Sequence, residues 1–391
     1  MAPPAAGPSG LGIGGQHVPA LDGVRGLAIL VILFHNTSWI AEDRSTGVQK
    51  LVGSLAAAGW VGVTLFFVLS GLLITGILLD TRDRPHFFRS FYIRRTLRIF
   101  PIYYLLLATV VLIGPRVIHD QAWVASVGER QIYYWTYVSN WVGKGIVGLS
   151  HFWSLAVEEQ FYLAWPLVVW LVPRRRLPWV CGAIILVTPI IRLGLYQLGL
   201  VQATYSYTVA RWDALAFGAG LAILVRSEAG RRWLARFSVR IGVGALAVLL
   251  GFVLLHRGFH TGNFLVDVWG HTVVAVFFAA LLSAAVVPSS RVASGVRRAF
   301  ETGWIRFLGK YSYAIYVFHE PIYHIAKFYL AGWVNQGGGT ERVVRLFGFD
   351  ALILATATAI ALLSWHLIEK HCLRLKDRWT VGTAARVEAA S

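Results

Sequence analysis

Acidic side chains are few in this 391-residue chain: there are 19 Asp and Glu against 36 Lys and Arg, and charged residues of both signs make up only 14% of the total. So small a charged fraction, beside 57% hydrophobic residues, excludes an ordinary soluble globular domain. Cysteine is almost absent. Cys181 falls inside an apolar run and Cys372 just after another, which leaves no Cys-x-x-Cys pair, no metal-ligand spacing and no disulfide framework. Residues 1–18 contain neither Lys nor Arg, so the first apolar run lacks the basic flank of a cleaved signal peptide. Their Pro, Gly and Ala content reads as a flexible tail. A net charge of +17 would suggest nucleic acid in a soluble protein. Here the basic residues sit between apolar runs, which argues against nucleic acid and for a lipid bilayer.

What the chain has in abundance is long apolar runs. Ten candidate membrane spans lie at roughly 22–40, 60–79, 97–114, 152–172, 179–198, 209–225, 241–256, 269–287, 311–330 and 350–368. The expected fold is therefore all-α, a polytopic helical bundle. Neither an internal repeat nor the inverted symmetry of many transporters is evident. The connections on one side, together with both termini, carry 25 of the basic residues, including Arg82 to Arg98, Arg174 to Arg176 and Arg226 to Arg240. The opposite connections carry 8, and Arg192, Arg211 and Lys327 lie at span ends. The positive-inside rule places the rich side and both termini in the cytoplasm, which requires an even number of spans. Three segments result: a tail over 1–18, a transmembrane domain over 19–370 and a basic tail over 371–391.

Charged and titratable residues within or beside these spans mark candidate chemistry, because each costs at least about 2.5–3.5 kcal/mol in a bilayer. Span 1 opens with Leu21-Asp22-Gly23-Val24-Arg25-Gly26, and His35-Asn36 follow. Asp22 and Arg25 share a helix face. An imidazole with an ordinary pKa near 6.5 takes a proton from a hydroxyl at working pH, and His35 fits that role; a structural histidine bonded to a neighbouring helix fits the pattern too. At the mouth of span 3, Arg94, Arg95 and Arg98 suit phosphate binding, since guanidinium engages phosphate bidentately and keeps its charge. They suit a cytoplasmic anchor equally well. His151, Ser154, Glu158 and Tyr162 fall within about 80° of one face of span 4, with Trp153 and Glu159 beside them. A carboxylate favoured by the helix macrodipole accounts for one acid there, but poorly for two on a shared polar face. Arg211 and Asp213 at span 6 read as an ion pair, with each other or with Glu158. Pro321, after His319-Glu320, should free carbonyls in span 9 and shape a cavity. Glu369 reads as an interfacial anchor.

Taken together these motifs resemble the acyltransferase 3 family of multi-pass membrane acyltransferases. The resemblance rests on Leu21-Asp22-Gly23-Val24-Arg25-Gly26 with its following histidine, Gly62 through Gly71, Arg95-x-x-Arg98 with Pro101, Trp153-Ser154-Leu155 through Glu158-Glu159-Gln160-Phe161-Tyr162, Arg211-x-Asp213, and Tyr311-Ser312-Tyr313 through His319. It implies transfer of an acyl group from cytoplasmic acyl-CoA to a hydroxyl on a carbohydrate, lipid-linked sugar or secondary metabolite. It implies His35 as the catalytic histidine and a functional need for Arg25, Arg95 and Arg98. One departure stands out. Nine residues separate Arg25 from His35 where the family usually has ten, so the two are about 80° apart on an ideal helix rather than about 20°, and Asn36 takes the expected direction.

The expected mechanism is direct. Arg95, Arg98 and neighbouring arginines hold the phosphates of acyl-CoA, with acetyl or another short acyl group as cargo and no metal. His35 deprotonates the acceptor, and Glu158, Asp22 or Asp213 orients or balances charge. His35 lies roughly 20 Å along the helix from Asp22, a distance that suits a long, thin donor arm. Thirty Arg against six Lys, with much Ala, Gly and Val, suggests a GC-rich bacterium such as an actinomycete, a multi-pass plasma-membrane location and an antibiotic or cell-envelope glycan acceptor. The chain ends about twenty residues after span 10, so no fused extracytoplasmic domain is expected. The competing class is a transporter or exporter of a polar or glycosylated metabolite, which would move substrate without consuming CoA. Oligomeric state is not legible in the sequence.

Overall fold

The computed structural model describes residues 12–13, 16–37, 47–143, 145–256, 259, 261–336 and 338–375. The two tails expected over 1–18 and 371–391 lie largely outside these residues. So do the outer-side basic residues Arg44, Lys144 and Arg257.

The described chain is a bundle of α-helices, with one two-residue antiparallel pair, Gly12–Ile13 with Gln16–His17, before the first. In order the helices are α1 (Pro19–Thr37), α2 (Gly47–Ala58), α3 (Val61–Thr81), α4 (Phe87–Ala108), α5 (Gly114–Val117), α6 (Gln121–Trp135), α7 (Phe152–Leu171), α8 (Leu177–Gln197), α9 (Val201–Ser206), α10 (Trp212–Leu224), α11 (Glu228–His256), α12 (His271–Val286), α13 (Arg291–Phe300), α14 (Gly303–Asn335) and α15 (Gly339–Ser364). Each of the ten expected spans coincides with one of these helices. Seven segments, including Pro19–Thr37, Arg174–Gln197 and Val266–Val286, are long and apolar enough to cross a membrane. The other three expected spans are α7, α10 and α14. Polar residues dilute α7 and α14, and α10, with 13 residues, rises only about 20 Å.

Small residues let the central helices approach closely. A Cβ on Gly71 of α3 would lie 1.9 Å from the Leu215 carbonyl of α10, and one on Gly218 of α10 would lie 1.9 Å from the Val68 carbonyl of α3. A Cβ on Gly23 or Gly26 of α1 would lie 1.9 Å from the Phe300 carbonyl or 2.0 Å from the Ile305 carbonyl, and one on Gly309 of α14 would lie 1.7 Å from the Asp22 carbonyl. Lipid supplies no hydrophobic drive between helices, so such backbone contact is how they associate. The glycines that flank Arg25 therefore dock α1 against the end of α13 and the start of α14. That contact carries Arg25 and His35 into the bundle.

Helices α2, α6, α9 and α13 were not expected as elements. The first three lie on the outer side, and α13 lies on the cytoplasmic side with Arg291, Arg297 and Arg298. Ser290 caps α13 by accepting from the Ala293 N–H at 3.1 Å.

Candidate active site

Two cavities lie end to end along the bundle. The inner one, about 80 Å³, is lined by Arg25, Arg95, Arg98 and Lys310 together with Glu158 and Glu159. The positive-inside orientation puts it on the cytoplasmic side. Four cations against two carboxylates leave a net positive chamber suited to an anion. Arg94 is exposed and lies outside it. Asp22 also lies outside, within 2.9 Å of His17 Nε2.

The polar face of α7 lines the inner cavity. Ser70 of α3 donates to Glu158 Oε1 at 2.6 Å, and the Tyr162 hydroxyl donates to Ser70 Oγ at 3.1 Å. Arg95 stacks over the Tyr162 ring at 4.3 Å. Glu159 Oε1 is buried without a hydrogen-bond partner among the described residues.

The outer cavity, about 370 Å³, opens among the outer connections and is lined by His35, Asn36, His151, Trp153, Glu320 and His324. His35 Nδ1 donates to the Ala56 carbonyl of α2 at 2.6 Å. That bond selects the tautomer with its proton on Nδ1 and puts the basic lone pair on Nε2. Gly59 packs beneath it: a Cβ there would lie 2.6 Å from His35 Cβ.

Asn36 lines the same cavity, where its amide donates to His319 Nε2 at 2.8 Å, and His319 Nδ1 donates to the Tyr316 carbonyl at 2.5 Å. With the nine-residue spacing, His35 bonds to α2 and Asn36 to α14, and both line the outer cavity. Arg25 faces the inner one.

Pro321 explains the next contact. It has no N–H, so the carbonyl four residues earlier, that of Val317, loses its helical donor. His151 Nε2 donates to that carbonyl at 3.1 Å. On its other side, His151 Nδ1 lies 2.5 Å from Glu320 Oε2, and the His151 backbone N–H donates to the same oxygen at 2.8 Å. The proline locks the start of α7 onto α14.

Ile32, Val63 and Tyr316 line both cavities and form the wall between them. The Tyr316 hydroxyl donates to the His151 carbonyl at 2.9 Å and lies 2.5 Å from Ser154 Oγ. Ser154 faces the inner cavity and His151 the outer.

Arg211 and Asp213 line neither cavity. Asp213 pairs with Arg192 at 2.9 Å and accepts from Thr272 at 2.6 Å. Arg211 donates to His271 and, at 2.8 Å, to Thr64, and its guanidinium lies 5.5 Å from the Phe67 and Tyr205 ring centroids. The ion pair expected between Arg211 and Asp213, or with Glu158, is replaced by one with Arg192, a residue the sequence placed only at a span end. Neither Glu158 nor Asp213 has a hydrogen bond to His35; each is held by other partners.

The sequence reading did not single out Ser70, Lys310 or Tyr316. Tyr316 had a visible signal: Ser312, Tyr316, Glu320 and Tyr323 recur at three- and four-residue steps, one polar stripe on α14. Ser70 was one of three hydroxyls in an apolar run, with Thr64 and Thr75, and was read only as part of the Gly62–Gly71 stretch. No group of three or more His, Cys, Asp or Glu that would hold a metal ion occurs among the described residues.

Comparison with known proteins agrees with this architecture. The chain is 30% identical over 384 residues to "Putative peptidoglycan O-acetyltransferase YrhL" of Bacillus subtilis (strain 168), covering 91% of this chain and 55% of that protein. It is 27% identical over 348 residues to "O-acetyltransferase OatA" of Staphylococcus aureus (strain NCTC 8325 / PS 47), covering 82% and 53%. The chain thus spans about half the length of the curated relatives it matches. No solved structure matches. Residues 18–366 match the family described as "Acyltransferase domain", and with the glycine-docked α1, the arginine cavity and the polar face of α7, the chain belongs to the acyltransferase 3 family of multi-pass bacterial membrane proteins.

Proposed function

We propose that this chain is a membrane O-acyltransferase that moves an acetyl or other short acyl group from cytoplasmic acyl-CoA to a hydroxyl of a carbohydrate-bearing acceptor in the outer cavity. One observation carries the reading: a cationic inner chamber and a histidine-bearing outer chamber have three lining residues in common, Ile32, Val63 and Tyr316. Acyl-CoA is an anion with a thin arm ending in a thioester, so its phosphates suit Arg95, Arg98 and the surface around them. The arm then follows α1 past Arg25 towards the shared wall. The outer cavity offers Trp153 and Tyr205 as flat apolar faces, with Asn36, Gln202 and Ser206 as polar groups. That mixture suits a sugar, whether in a cell-envelope glycan or a glycosylated metabolite of the macrolide type.

The step balances as a direct transfer. His35 Nε2 takes the proton from the acceptor hydroxyl. The oxygen attacks the thioester carbonyl, and the carbon–sulfur bond breaks. The imidazolium returns the proton to the CoA thiolate, leaving an ester and free CoA. Tyr316 stands where the two substrates meet. Its hydroxyl and that of Ser154 share one backbone acceptor, and turning either proton to the thioester oxygen would stabilise the developing oxyanion.

The test is to incubate purified protein with several acyl-CoAs and hydroxyl acceptors and to read products by mass spectrometry. An acylated acceptor with stoichiometric free CoA supports the reading. Substrate flux into vesicles with no CoA released would instead mark an exporter.

A further inference from the structure

A third cavity, about 320 Å³, lies between α8, α10, α11 and α12, apart from the two already described. Its wall is mostly apolar, with Cys181, Ile185, Phe217, Leu221 and Leu234 among the lining residues. The lining stretches 178–185 on α8 and 233–241 on α11 lie in the cytoplasmic halves of their helices, and 217–224 on α10 and 276–283 on α12 run from mid-helix towards the cytoplasmic side. Gly182 and Gly220 line it too, and a Cβ at either would meet nothing within 4 Å.

Two hydroxyls interrupt this wall. Ser238 and Ser283 are 2% and 1% exposed, and neither Oγ has a hydrogen-bond partner among the described residues. Ser283 lies in the last turn of α12, and Ser238 lies between Arg236 and Arg240 on α11, so both sit at the depth of the cytoplasmic interface. A buried hydroxyl normally finds an acceptor. Exposed Arg175, Arg176, Arg236 and Arg240 flank the lining residues in sequence and add positive charge at the same level.

We propose that this cavity holds one acyl chain of an anionic phospholipid from the inner leaflet. The apolar slot takes the chain. The ester carbonyl, which has lone pairs and no proton, accepts from Ser238 or Ser283 at the depth where glycerol esters lie. The phosphate faces the arginines, whose charge favours an anionic headgroup. Water would fill the hydroxyls' needs but not the apolar walls, and hydrocarbon alone would leave the hydroxyls without acceptors. The site does not depend on the acyl-transfer reading.

The experiment needs no enzymatic readout. The protein is reconstituted in nanodiscs of equal phosphatidylglycerol and phosphatidylcholine with matched chains, then released and weighed by native mass spectrometry. Wild type should retain one phosphatidylglycerol in preference to phosphatidylcholine. Gly182→Leu with Gly220→Leu, which fills the slot, should lose it. Arg236→Gln with Arg240→Gln should weaken the headgroup preference by about fivefold per arginine. Equal retention of both lipids by wild type, or a filled variant that keeps its phosphatidylglycerol, overturns the proposal. If the filled variant does not fold, the arginine pair decides, since both residues are exposed: an unchanged headgroup preference overturns the proposal equally.

Discussion

The inner and outer cavities share helices α1, α3, α7 and α14 yet differ in almost every property. Helix α1 gives Arg25 to one and His35 to the other, α7 gives Glu158 to one and Trp153 to the other, and α14 gives Lys310 to one and Glu320 to the other. The inner cavity is narrow, about 80 Å³, and rich in cations; the outer is about 370 Å³ and mixes aromatic rings with histidines, amides and the carboxylate of Glu320. A span crossing both must change partners along its length, and residues ten positions apart on α1 meet different chemistry. The lesson is that one polar stripe on a membrane helix need not serve one site. Here Ile32, Val63 and Tyr316 line both cavities, where the two meet.

If the division is one of labour, removing the outer base should cost most. His35→Ala is expected to lower turnover by about 10²–10⁴-fold, with the gel-filtration profile and helical circular dichroism of wild type; near-normal turnover would take His35 out of the mechanism. The inner side should respond differently. Arg95→Ala with Arg98→Ala should raise the KM for acyl-CoA by about 10- to 100-fold, the worth of a charge-assisted hydrogen bond or two, and leave the KM for the acceptor alone. A change confined to acceptor kinetics would reverse the assignment of the two cavities.

Two smaller effects sharpen the comparison at the wall and at the base. Tyr316→Phe keeps the ring and removes the hydroxyl, so transfer should drop by about tenfold, the scale of one hydrogen bond. Tyr316→Ala also opens the wall, and free CoA released without acylated product should then appear; strict coupling in the alanine variant would show that the ring does not separate the substrates. Gly59→Ala pushes a methyl group against His35 Cβ. A few-fold loss in kcat with unchanged KM for acyl-CoA is expected, given that small displacements of a base are costly, and an unaffected kcat would place the productive imidazole elsewhere.

Much of the fold was legible because it depends on sums over local sequence. Apolar runs of about twenty residues define helices wherever they fall, and the excess of arginine on alternate connections orients them. The glycines of Leu21-Asp22-Gly23-Val24-Arg25-Gly26 were visible as a motif, though not as the surface that docks α1 on α14. The connections were harder to read, since α2 and α6, at 12 and 15 residues, are too short for a span. Helix α2 nevertheless holds His35 through the Ala56 carbonyl.

The sequence by itself determined the membrane class, the order of helices, their orientation and the set of polar residues that had to face inward, because burying charge in lipid is costly wherever the chain goes. Only the tertiary structure decided which of those residues meet. Asn36 finds His319 across 283 positions, His151 finds the carbonyl that Pro321 frees across 166, and Asp213 takes Arg192 in place of its near neighbour Arg211. Such pairings follow from how helices approach and rotate against one another, and glycine contacts between backbones set that approach.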